Sequence, residues 1–163
     1  MKKIITLTTA IIVITTLQAN GQFTHNTVLK GTAGSGAGSL ITIQLNNGYK
    51  IKDRVILGAG FGFTIATKND VILSPLLFHS KLYFNKSDKA RGFLNFDIGY
   101  AFGKHIKAFV AEPAVGIEFP LDNFGLQLMI GADIFKPYPS SSYEYIFLKD
   151  TYTGLLISVG VTF

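Results

Sequence analysis

The chain has 163 residues, no cysteine, a formal charge of +5 and 48% apolar residues, with 14 Phe and 7 Tyr beside 17 Gly. Without cysteine there is no disulfide framework, so packing and backbone pairing must supply the stability. Setting aside Lys2 and Lys3 lowers the charge to +3, too little and too scattered to indicate a nucleic-acid partner.

Met1-Lys2-Lys3 precedes Ile4 to Leu17, a charge-free run of 14 apolar residues and threonines, and then Gln18-Ala-Asn-Gly-Gln22. A basic start, an apolar stretch and small residues near a cut form the pattern of a secretory signal peptide. As a helix that stretch would rise about 21 Å, short of the roughly 30 Å of a bilayer core, so a membrane anchor is the weaker reading. The expected organisation is a signal peptide over 1–21, cut after Gly21, and one domain over 22–163.

Eight strands are predicted in the remainder. The first runs from Asn26 to Gly36 into Gly34-Ser-Gly-Ala-Gly38. That stretch lacks the Gly-Lys-Ser/Thr of a phosphate loop and reads as a hairpin connection. The second, Leu40 to Ile51, sets Ile41, Ile43, Leu45 and Tyr49 against Thr42, Gln44, Asn46, Gly48 and Lys50. The third, Arg54 to Thr67, alternates Leu57, Ala59, Phe61 and Phe63 with Gly58, Gly60 and Gly62. Glycines two apart would weaken a helix by about 1 kcal/mol each, while inside a small barrel they make room for bulky neighbours.

The fourth strand, Ser74 to Asn85, places Leu76, Phe78, Leu82 and Phe84 outward and Leu77, His79, Lys81 and Tyr83 inward. The fifth, Gly92 to Gly103, turns Asn95, Asp97 and Gly99 inward. The sixth, Lys107 to Pro120, does so with Glu112, Gly116 and Glu118; its Pro113 removes a ladder donor and calls for a bulge. The seventh, Asn123 to Lys136, turns Gln127, Gly131 and Asp133 inward. The eighth ends at Phe163, with Leu155, Ile157, Val159, Val161 and Phe163 on one face.

Large apolar residues on one face and small or polar ones on the other suit a strand between lipid and a polar lumen. The expected fold is therefore all-β: an eight-stranded antiparallel transmembrane β-barrel preceded by a cleavable signal peptide. An even strand number puts both termini on the periplasmic side. The longest connection, Pro137 to Asp150, then falls outside. Aromatic girdles are expected at Tyr49, Phe93, Phe119 and Phe163 on one rim and at Phe102, Phe109, Phe135 and Tyr138 on the other. The rival is a soluble lipocalin-type barrel with its apolar face inward, but a soluble surface would rarely carry so many glycines.

Ser39-Leu-Ile-Thr-Ile-Gln-Leu-Asn-Asn-Gly-Tyr-Lys50, the ladder Gly58-Ala-Gly-Phe-Gly62, Pro75 and the ending Gly160-Val-Thr-Phe163 resemble a porin-like family of small outer-membrane barrels common in Bacteroidetes. Such barrels have the eight-stranded architecture of the OmpA transmembrane domain. The chain departs at Lys81, where members often carry arginine. The resemblance implies outer-membrane location and no catalytic residues. Val159, Val161 and Phe163 resemble the C-terminal signal of such proteins, which implies the barrel-assembly machinery and periplasmic chaperones as partners during biogenesis, and outer-membrane lipid thereafter.

Lys50, His79 and Lys81 are expected in the lumen against Asp97, Glu112, Glu118 and Asp133. Buried charges must pair, so a salt-bridge network plugging a structural barrel is expected. A narrow, weakly cation-preferring path is the sharper alternative. A second alternative is surface binding through the 137–152 loop, where Tyr138, Tyr143, Tyr145, Phe147 and Tyr152 cluster. An enzyme of the lipid-A-modifying kind is disfavoured. Adjacent His79 and Ser80 point to opposite faces of a strand, and no histidine pair has metal-ligand spacing. The sequence thus reads as a monomeric membrane barrel, not an enzyme, with no cofactor.

Overall fold

The computed structural model describes residues 23–34, 39–51, 54–67, 71–85, 87, 89–104, 106–139 and 151–163. The expected signal peptide, His105, Tyr143 and Tyr145 lie outside the described residues. The elements are strands β1 (Phe23–Gly34), β2 (Ser39–Ile51), β3 (Val55–Ala66), β4 (Val71–Tyr83), β5 (Arg91–Phe102), β6 (Ile106–Pro120), β7 (Gly125–Pro139) and β8 (Tyr152–Thr162). Each pairs antiparallel with its neighbours in sequence, and β1 pairs with β8 to close the barrel. Closure leaves no open sheet edge.

The first and last strands meet at one end, the terminal rim, where His25 and Phe163 exchange backbone hydrogen bonds of 2.7 and 3.1 Å. The opposite end, the distal rim, holds the β1–β2, β3–β4, β5–β6 and β7–β8 connections. Period-two burial runs along β1 to β6 and β8. The exterior carries Ile43, Phe61, Phe63, Ile72, Leu76, Leu94, Leu128 and Ile157, all exposed, while Gln44, Lys81, Asp97 and Gln127 are buried inside. The apolar face therefore points outward, the reverse of a lipocalin.

Two prolines interrupt the ladders. Between β3 and β4 the pairing skips from Phe61↔Leu76 to Thr64↔Leu73, beside Pro75. Between β6 and β7 it skips from Ala111↔Ile134 to Ala114↔Gly131, beside Pro113. On their other sides both prolines remain in register, opposite Ala101 and Phe96. The bulge expected at Pro113 is absent, because the register resumes unshifted after the lapse. A missing N–H removes bonds toward one neighbour only, and the closed wall holds the alignment without an inserted residue.

Inward glycines set the space inside. A Cβ on Gly60 would strike the amide groups of Asn46 and Gln44, and one on Gly116 would meet Phe93 and, at 2.8 Å, Met129. Two expected girdle aromatics are in fact interior. Phe93 is 0% and Phe135 4% exposed, because they share strand parity with Asn95 and Asp133. Tyr152, expected in the outer loop, starts β8 and is buried. The rings of Tyr49, Phe102, Phe109, Phe119, Tyr138 and Phe163 do lie on the exterior wall.

Candidate functional site in the barrel interior

The interior is layered. Nearest the distal rim, Leu40, Leu73, Leu77, Val110, Phe135 and Tyr152 pack with Ala66, Ala101 and Ala108 in one apolar cluster. Most of these sit within a few residues of a distal strand end. The inward parity that carries charge at mid-strand carries leucine and aromatic residues here.

Below it lies the densest group of charges. The register aligns Gly48, Gly58, His79, Asp97 and Glu112 side by side across β2 to β6. Three ionisable side chains thus enter from adjacent strands, and Gly48 and Gly58 continue the same row beside them. From the opposite wall, Lys30 donates to Asp97 Oδ2 at 3.1 Å, to Gln44 Oε1 at 2.6 Å and to Glu112. Gln44 Nε2 in turn donates to Asn46 Oδ1 at 2.6 Å and to Asp97 Oδ2 at 3.0 Å. His79 Nδ1 lies 2.6 Å from Asp97 Oδ1. With the carboxylate as acceptor, the imidazole carries its proton on that nitrogen. Thr32 donates to Asp133 Oδ2 at 3.0 Å, and the Thr42 and Thr64 hydroxyls pair at 2.8 Å.

Toward the terminal rim a second network centres on Lys81. Its ammonium donates to Gln127 Oε1 at 2.6 Å, stands 3.5 Å from Glu118 Oε2 and lies 4.4 Å from the centroid of the Phe93 ring. Glu118 also accepts from the Tyr83 hydroxyl at 2.7 Å and from Thr162 at 3.2 Å, and Gln127 donates to Asn26. Tyr83 meets Phe93 edge-on at 5.9 Å. Val28, Ile56, Phe93, Ala114, Met129 and Leu156 form an apolar lining between the two networks. At the rim a cavity of about 280 Å³ opens between Lys50, Tyr83, Arg91, Glu118 and Phe124.

His79, Lys81, Asp97, Glu112, Glu118 and Asp133 thus line the interior. Lys50 does not join the central group; it lies half-buried on the wall of the rim cavity. The lysine at the centre is Lys30, missed because the first strand has the faintest pattern, with Thr27, Gly31 and Ala33 among its outward residues. A usable signal was present: Lys30 shares parity with Asn26, Val28 and Thr32, all buried. Val159 and Phe163 are exposed, Val161 is half-buried, and Tyr138 sits on the distal exterior.

The arrangement offers pairing rather than nucleophilic chemistry. His79 faces Asp97, while Ser80 points outward and donates to the Phe96 carbonyl at 2.9 Å. No group of three or more His, Asp or Glu among the described residues is placed to hold a metal. Asn26 Nδ2, Asn95 Oδ1, Asp133 Oδ1 and Ser158 Oγ are buried without a protein partner. Such groups are costly to bury, so the interior is held by the barrel as much as it holds the barrel.

No protein-family model matches the chain, and no curated protein matches it significantly. Among solved structures it is similar to neisserial surface protein A (NspA), with a TM-score of 0.61 and 14% identity over 86% of this chain and 94% of that one. It is also aligned with the N-terminal β-barrel domain of Pseudomonas aeruginosa OprF, with a TM-score of 0.48 and 13% identity over 86% and 97%. At such identity the first likeness speaks for the eight-stranded fold.

Proposed function

We propose that this chain is an integral outer-membrane barrel whose interior is closed, a structural wall protein rather than an open pore. The observation that carries this reading is the combination of an apolar exterior with a distal interior packed by buried Leu40, Leu73, Leu77, Phe135 and Tyr152. A lipid-facing band explains so many exposed Leu, Ile and Phe, which a water-facing surface would not tolerate in one continuous belt. The apolar cluster replaces water where a conducting path would need it. The barrel shared with a neisserial surface protein and the resemblance of Ser39 to Lys50 to porin-like outer-membrane barrels support the same location.

Refolding the chain into detergent micelles tests both halves. A band that runs fast unboiled and slows on heating supports the membrane barrel; folding in plain buffer without a heat shift overturns it. In a planar bilayer the expected result is a silent membrane. A steady, cation-preferring current would instead favour the porin-like reading, with charges such as Asp133 lining the path.

A further inference from the structure

The exterior wall at the distal rim carries a feature that a closed structural barrel does not need. The register places Phe102, Lys107 and Tyr138 side by side across β5, β6 and β7 and, one inward step along the wall, Tyr100, Phe109 and Lys136. All six lie on the outward face. The Lys107 ammonium stands 4.4 Å from the Tyr100 ring centroid and 5.6 Å from that of Phe102. Tyr100 meets Phe109 edge-on at 5.9 Å. Lys136 occupies the diagonal from Lys107, a spacing of about 7–8 Å between backbones in an antiparallel pair. Exposed Lys104 follows in the β5–β6 connection.

Three lysines thus crowd one rim, and no described carboxylate shares that wall. Asp97, Glu112, Glu118 and Asp133 all point inward, and Asp122 lies at the opposite rim. On the same three strands the outward face near the terminal rim offers Phe119 and Leu126 and no lysine; the described cations at that end of these strands are exposed Lys89 in the β4–β5 connection and Arg91, whose parity is inward. Simple rim placement of long cations would serve both ends alike. Aromatic rings near the rim, with the Lys107 ammonium held over two of them and Lys136 beside them, match an amphiphile that is anionic at its head and apolar below. The β5–β6 connection is short, running only from Gly103 to His105 in sequence.

We infer that Lys107, Lys136 and Lys104, set among Tyr100, Phe109 and Tyr138, bind the phosphate headgroup of an anionic membrane lipid on the outer wall of β5–β7. The inference rests on the membrane-barrel reading. The phosphate sits between the ammonium groups, and the acyl chains descend along the apolar wall beneath Phe109.

The test uses the chain refolded in phosphatidylcholine micelles, with phosphatidic acid added and retained lipid counted by native mass spectrometry. The expected result is retention by the unaltered chain and by Lys107→Arg, falling about 10- to 30-fold in Lys107→Gln/Lys136→Gln, the effect of two membrane-surface cations on an anionic lipid. Arg54→Gln, an exposed cation at the other rim, should retain lipid normally. Equal retention by the double variant, or an equal loss in Arg54→Gln, would overturn the site as diffuse charge attraction. Inorganic phosphate displacing the lipid at millimolar concentration would overturn it in favour of a free-anion site. The heat-shifted gel band, read on the same samples, keeps the two readings apart. A band that shifts without selective lipid retention sinks this site alone, and a chain that never enters micelles sinks the membrane reading with it.

Discussion

Toward the distal rim the barrel interior is filled by Leu40, Leu73, Leu77, Val110, Phe135 and Tyr152, whereas at mid-barrel it is filled by Lys30, Gln44, His79, Asp97 and Glu112. Strands β2, β4 and β6 supply both, at the same parity. The distal half gains from removing apolar surface from water and has no partner requirement, so its members are exchangeable in kind. The charged half gains little net energy, since each ion's desolvation consumes most of what pairing returns. What it adds is demand for one arrangement. Lys30 meets its acceptors only when β1, β2, β5 and β6 stand in this register, and a slip of one residue would turn it to the outward face. One half supplies cohesion and the other supplies specificity.

That contrast breaks most sharply at Lys30. Lys30→Met leaves Asp97 and Glu112 without their shared cation, and a loss of about 3–5 kcal/mol is expected in urea unfolding from lipid vesicles. Adding Glu112→Leu to that variant should recover much of the loss, because the remaining Asp97 keeps His79 and Gln44; no recovery would mean the pair is worth more than its specificity. Leu73→Ala in the distal cluster should cost about 2–4 kcal/mol by the same measurement. It should also admit ion current in a planar bilayer if this layer is the seal, and continued silence would move the seal to the charges. Lys81→Met is expected to cost less, about 1–2 kcal/mol, since Glu118 keeps the Tyr83 and Thr162 hydroxyls and methionine still covers Phe93. Smallest is Thr42→Val, about 1 kcal/mol for a Thr64 hydroxyl left without its partner, seen as a small shift of the unfolding midpoint.

Much of the wall was legible. Alternation of Ile41, Ile43 and Leu45 with Thr42, Gln44 and Asn46 is local and needs no partner to be read. The same parity placed His79, Lys81, Asp97, Glu112, Glu118 and Asp133 inside. Where reading by rim position replaced reading by parity it failed: Phe93 and Phe135 lie near strand ends but face inward. Pro113 misled differently, since a bulge is only one way to lose a donor and a closed sheet can instead drop two ladder positions. Lys30 was overlooked because a strand of Thr, Gly and Ala has little amphipathic contrast.

The sequence by itself determined the number of strands, their order and which residues of each share a face, because a period of two is written residue by residue along the chain. Only the tertiary structure decided that Lys30, and not Lys50, meets Asp97 and Glu112, partners 67 and 82 residues away. It also decided that the inward leucines gather at one end in a single apolar cluster. Those facts depend on register and closure summed around eight strands. No local pattern encodes where a side chain lands across the lumen.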